Sequence, residues 1–238
     1  MDTYIFGYGS LMEKASRTRT EPKAVNAYPA IVKGFQRGWY NHDPLTIGFQ
    51  PTFLGVKNNE NMSCNGVIFP VTGEQATRFD DREKGYSRQL VSPTDITMLD
   101  GRKELKSDSI VIIYVTDSVE VPSFQYPIVQ SYLDICVTGC QELEGAYPLA
   151  KENEFTYNFF TKTDGWSEYW VNDRIYPRRP HIYQPNARDI DKLINQYQPE
   201  LFKKIQIEPA SQSNVQISGE EQVITSGNQV IIIKDNSK

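Results

Sequence analysis

The chain has 238 residues, 39% of them hydrophobic, and a formal net charge of −5 with a pI near 5.2. That length and apolar content suffice for one well-buried core of enzyme size. Lys and Arg are scattered rather than clustered, which argues against nucleic acid or an anionic membrane as a partner, and no run approaches the roughly 20 apolar residues of a membrane span. With no basic segment leading into an apolar stretch at its start, the chain reads as cytoplasmic.

The first element is a short apolar strand over residues 4–6, which runs into Gly7-Tyr8-Gly9-Ser10-Leu11-Met12. Two glycines one residue apart allow backbone N–H groups to approach a ligand closely, so this loop offers donors to an anionic or carbonyl oxygen. The competing reading is a tight turn that needs positive φ. Met12 stands where a third glycine would complete a dinucleotide fingerprint, and no regular strand–helix alternation follows, so a Rossmann fold is excluded.

Strand-like runs follow at 30–35, 52–56 and 64–70. Thr72 with Gln75 three residues on forms a capping box for a helix reaching about Arg82, which Gly85 ends. Further strands are expected at 89–92, 95–99 and 110–115. Apolar residues spaced by three and four after Pro127 predict an amphipathic helix over 127–143. Helices are also expected at 154–161 and 187–197. Cys64, Cys136 and Cys140 form an odd set, the latter two one helical turn apart in an apolar stretch, which suggests buried reduced thiols rather than a disulfide framework. His42 and His181 have no ligand spacing with another His or Cys, so no metal is expected. From about 206 the composition turns to Ser, Gln, Asn and Gly. The β-branched runs at 223–225 and 230–233 fit a hairpin through Ser226-Gly227-Asn228, either docked on the body or partly disordered.

Taken alone, Asp80-Asp81-Arg82-Glu83-Lys84 reads as a solvated charged face. In combination the motifs carry more. The strand leading into Tyr8-Gly9-Ser10-Leu11-Met12, then Asp81-Arg82-Glu83-x-Gly85-Tyr86 before a strand, resembles the γ-glutamylcyclotransferase-like superfamily, which includes the AIG2-like proteins. Pro127-x-x-x-Ser131-Tyr132-x-Asp134-x-Cys136-x-x-Gly139-Cys140, Gly165-Trp166 and Asn172-Asp173-Arg174-x-x-Pro177 extend the resemblance over roughly residues 3 to 180. It implies an α+β fold, a small mixed β-barrel flanked by helices over 1–205, with 206–238 as a C-terminal extension outside the analogy. It also implies a cavity whose floor is the loop Gly7, Tyr8, Gly9, Ser10, Leu11 and Met12, with Glu83 as acid/base group and Tyr132 as a substrate contact. Asn172-Asp173-Arg174 is either a ligand-binding stretch or, as favoured, a structural ion pair, and Arg178 or Arg179 is a candidate for a substrate carboxylate. No cofactor is expected.

The implied reaction releases 5-oxoproline when the substrate's own α-amine attacks its γ-carbonyl, so no enzyme nucleophile is required. Ser10 is not in a Gly-x-Ser-x-Gly elbow, which agrees. An α-amino group with a reference pKa of about 7.7 to 8.0 arrives as ammonium and must lose a proton, and Glu83 is the candidate base. The implied partner is a small γ-glutamyl compound. The rival readings are a non-catalytic protein that keeps the cavity for binding and a peptide-binding module that uses the 230–233 strand as an edge.

Overall fold

The computed structural model describes residues 2–42, 50–102, 104–174 and 186–206, and the backbone alone of 207, 214–218, 221–226 and 229–234. Arg178, Arg179 and His181 lie outside the described residues.

The core is built on β1 (Thr3–Gly7), whose Ile5 and Phe6 have no exposed surface. This strand pairs antiparallel with the far end of β3 (Thr52–Val71) and parallel with β6 (Ile110–Thr116). Its apolar stretch is covered on both faces, as expected of a strand at the centre of a sheet. β4 (Tyr86–Val91) joins the outer side of β6. The long hairpin of β2 (Tyr28–His42) and β3 carries β5 (Ile96–Met98) on its other edge. At residue 52 the sheet continues into β7 (Ile128–Val129), β8 (Trp170–Asn172) and β9 (Gln206–Ile207). The fold is therefore α+β with a mixed sheet, as expected, but among the described strands no pairing joins β4 to β9 or β5. The sheet is open rather than a closed barrel.

The helices are α1 (Lys14–Thr20), α2 (Gly73–Arg82), α3 (Gln130–Ala146), α4 (Pro148–Glu152), α5 (Phe155–Lys162), α6 (Ala187–Tyr197) and α7 (Pro199–Phe202); α2, α3 and α5 pack against strands of this sheet, α4 and α6 pack on α3 and α5, α1 packs on α2 and α7 on α6. The tail contains a separate antiparallel sheet of β10 (Asn214–Ser218), β11 (Glu221–Ser226) and β12 (Gln229–Lys234). The register of its last two strands, Ser226 opposite Gln229, is that of the expected hairpin. Gln206–Ile207, assigned from composition to the extension, pairs with β8 in the main sheet.

The central element for the site is α3, a helix buried along most of its length. Its one mid-helix glycine, Gly139, gives up about 1 kcal/mol of helix propensity. The reason is close approach: a Cβ there would sit 2.5 Å from Glu13 N and 2.7 Å from Met12 C. The segment after the glycine loop thus lies directly against the helix. Gly139→Ala is expected to lower stability by about 1–3 kcal/mol despite its better helix propensity, read as a fall in the denaturant midpoint with unchanged m-value.

All three cysteines are buried and none forms a disulfide among the described residues. Among the described residues no helix is long and apolar enough to cross a membrane, and no group of three or more His, Cys, Asp or Glu could hold a metal ion.

Candidate active site

Two separate stretches of chain meet at one cavity of about 630 Å³, lined by Gly7 to Leu11 on one side and by Asp81 to Tyr86 on another. Tyr132 from the first turn of α3, Phe53 and Leu54 from β3, and Asn41, His42, Asp117 and Glu120 also line it.

The loop is held from below. Tyr8 is buried and its hydroxyl donates to the Tyr114 carbonyl at 2.7 Å. Burial, with smaller contributions from Tyr86 and Glu83, holds its phenol well above the usual range, so it stays protonated. Ser10–Met12 forms a 3-10 turn closed by Met12 N–H donating to Gly9 O at 2.9 Å. Gly9 has φ −125° and Gly7 is not among the positive-φ glycines, so the positive-φ turn does not explain this pair. Space does. A Cβ on Gly7 would lie 2.6 Å from Leu11 Cβ, and one on Gly9 would lie 2.8 Å from the Tyr132 hydroxyl. Tyr132 is buried and wedged between Trp39 and Phe53, with ring centroids 5.9 and 4.7 Å away. Met12 is not part of the cavity lining; it is buried behind the loop against Gly139.

Glu83 sits at the end of α2. That helix starts with the expected capping box, Thr72 with Gln75, and buries Ala76 and Phe79 on one face. It ends as the Glu83 N–H donates to Phe79 O at 2.9 Å, and Gly85 at φ +97° takes the left-handed conformation that turns the chain into β4. The Glu83 side chain is 18% exposed and Oε1 lies 3.1 Å from Arg82 Nε. The same guanidinium donates to Ser10 Oγ at 2.9 Å, Ser16 Oγ at 3.1 Å, Ser16 O at 2.9 Å and Thr20 Oγ1 at 2.7 Å. Arg82 therefore ties the acid to the glycine loop and to α1. Reading the charged run as a solvated face passed over this residue. Its one sequence signal was an arginine in the last turn of a helix immediately before the acid. Tyr86, also without an assigned role, fixes the other wall through Oη donating to Leu54 O at 2.9 Å.

The residues at 172–174 are not brought to this cavity. Asp173 has no exposed surface and accepts from the Ser131 N–H and hydroxyl, both at 2.7 Å. Arg174 forks onto buried Asp134 at 2.7 and 2.8 Å. These contacts fasten α3 to the strand beside it, which is a packing arrangement.

The arrangement provides a half-closed hollow with a backbone-lined bend, one largely buried carboxylate braced by a guanidinium, and a phenol over the bend. The chain aligns with several solved structures. One, described as a γ-glutamyl cyclotransferase, aligns over 80% of this chain and 98% of its own at 13% identity and TM-score 0.51. An uncharacterized protein from Homo sapiens aligns over 79% and 97% at 14% identity and TM-score 0.49. A yeast γ-glutamyl cyclotransferase specific to glutathione aligns over 61% and 88% at 12% identity and TM-score 0.37. No curated protein matches the chain. The family described as ChaC-like protein matches residues 3–137, more than half of the 238 residues. That segment holds the glycine loop, Glu83 and Tyr132, and the chain belongs to the ChaC-like protein family.

Proposed function

We propose that the protein is a γ-glutamyl cyclotransferase that releases 5-oxoproline from a small γ-glutamyl compound, with Glu83 as the single acid/base group. The observation that carries the reading is that Glu83 and the Gly7–Leu11 loop line one cavity, although about seventy-five positions separate them in the chain. Membership of the ChaC-like family and the cyclotransferase name attached to one fold neighbour support the same reaction class.

In this reading the N–H groups of the loop receive substrate oxygen and Tyr132 closes over the glutamyl arm. The carboxylate of Glu83 takes a proton from the α-ammonium. The freed amine forms a C–N bond to the γ-carbonyl carbon, protonated Glu83 gives its proton to the leaving nitrogen as the bond from that carbon to it breaks, and the regenerated carboxylate takes the second proton from the ring nitrogen and passes it to the released amine, which departs as ammonium. Both reactants belong to one molecule, so holding the arm folded supplies much of the roughly 7–11 kcal/mol available from positioning, while base catalysis typically adds about 10²- to 10⁴-fold.

Incubation with γ-glutamyl amino acids, γ-glutamylamines and glutathione tests the proposal. Stoichiometric 5-oxoproline and free amine from at least one of them are expected. Tight binding without turnover of any would favour the rival, a cavity kept only for binding. Tyr132→Phe, which keeps the ring packed against Trp39 and Phe53, is expected to cost about tenfold in kcat/KM, the worth of one hydrogen bond, with an unchanged unfolding midpoint.

A further inference from the structure

A buried cation lies beneath the glycine loop. Arg37 on β2 has no exposed surface. Its guanidinium donates from Nε to Thr163 Oγ1 at 2.8 Å, from Nη1 to Asn65 O at 2.7 Å and Tyr8 O at 3.2 Å, and from Nη2 to Asn65 Oδ1 at 2.9 Å and Phe159 O at 3.2 Å. Every acceptor is neutral. The group also lies 4.4 Å from the Phe159 ring centroid. The titratable groups that act on it most are thiols and a phenol, and among the described residues no carboxylate forms an ion pair with it. Burial pushes the Cys64 thiol up to about 11 and Cys140 well above its ordinary value, so these two supply no counter-charge near neutrality. Guanidinium remains protonated in proteins even when burial lowers its pKa.

A fully buried charge without a counter-charge is costly, even when hydrogen-bonded. This one sits a single peptide from the cavity, because Tyr8, whose carbonyl it holds, and Gly9 both line that space. No peptide bond is cis, and in a trans peptide C=O and N–H point in opposite directions. A Tyr8 carbonyl fixed on Arg37 therefore turns the Gly9 N–H away from the guanidinium. We infer that Arg37 is a positioning residue: it sets the Tyr8–Gly9 peptide and provides the counter-charge for a carboxylate of the ligand bound at the loop. The inference rests on the reading of the cavity as a γ-glutamyl site.

The test compares binding of 5-oxoproline with that of its neutral amide, 5-oxoprolinamide, by calorimetry or ligand-observed NMR. Unit charges roughly 7 Å apart at an effective dielectric of about 20 attract strongly enough for a preference on the order of tenfold to fiftyfold. The wild-type chain should show that preference for the anion, and Arg37→Met should lose most of it. Arg37→Lys should keep the preference while turnover falls, because an ammonium cannot reproduce the fork that holds both Asn65 and the Tyr8 carbonyl. A purely structural Arg37 would lower stability and leave the anion/amide ratio where it was, which would overturn the inference. If Arg37→Met does not fold, Arg37→Lys decides: a lost preference, or unaltered turnover, overturns it. A wild-type chain that binds neither ligand and turns over no γ-glutamyl compound removes the cyclotransferase reading and this role together. An active wild type whose preference survives in Arg37→Met removes the role of Arg37 alone.

Discussion

Glu83→Gln should abolish most turnover while leaving the fold and ground-state binding intact. The amide is isosteric with the carboxylate and can still accept from the Arg82 guanidinium 3.1 Å away, so the end of α2 keeps its shape. It can neither take the proton of the α-ammonium nor deliver one to the leaving amine. With one group responsible for both transfers, release of 5-oxoproline should fall by at least the 10²- to 10⁴-fold typical of a lost general base. The unfolding midpoint should move by no more than about 1 kcal/mol equivalent, because the amide keeps the volume and an acceptor for Arg82. Near-normal 5-oxoproline release by this variant would remove Glu83 from the chemistry.

The second large effect is expected at Arg82, one residue before the acid. Its guanidinium bonds Ser10 of the glycine loop and Ser16 and Thr20 of α1 while pairing with Glu83. Arg82→Met keeps much of the stem but severs the link between the two halves of the site and removes the guanidinium that pairs with Glu83. Hydrogen bonds from a charged group contribute about 1.5–3 kcal/mol each when buried. Here the side chain is one-fifth exposed, so a total loss of about 2–3 kcal/mol of stability is the reasonable scale. Turnover should fall about a hundredfold, because a displacement of roughly 1 Å between acid and loop is enough for that. Arg82→Lys separates the two roles: a lysine keeps the charge but cannot reach Ser10, Ser16, Thr20 and Glu83 together, so kcat should drop nearly as far with a smaller change in stability. A lysine variant with full kcat would show that charge alone matters and that the tie to Ser10 does not.

Local chemistry made α2 legible, since Thr72, Gln75 and Gly85 each do in the structure what their residue types favour. The loop glycines were legible as a site of close approach, and the structure adds the reason, the packing of Leu11 and of the Tyr132 hydroxyl where side chains would stand. Where pairing is non-local, pattern was a poorer guide. β3 reads as two strands because Asn58-Asn59-Glu60-Asn61 looks like a polar loop, yet it runs unbroken across a bulge opposite residues 33–35 of β2. The helix expected from Pro127 begins at Gln130, because Ile128 and Val129 pair with Trp170 and Val171 far along the chain. β8 and β9 are three and two residues long, too short for any periodicity to register. Openness of the sheet likewise depends on which edges find partners, and no alternation of residues encodes that. Arg82 and Arg37 were missed for a related reason: an arginine's role depends on what surrounds its guanidinium, and here those partners come from several distant segments.

The most direct measurement is a crystal structure of Glu83→Gln soaked with a γ-glutamyl compound that the wild type turns over. The account predicts density for the glutamyl arm between the Gly7–Leu11 bend and residue 83, with its α-nitrogen about 3 Å from the residue 83 side chain, a hydrogen-bond distance. Density for the arm elsewhere on the protein, or in this cavity with the α-nitrogen turned away from residue 83, would contradict it.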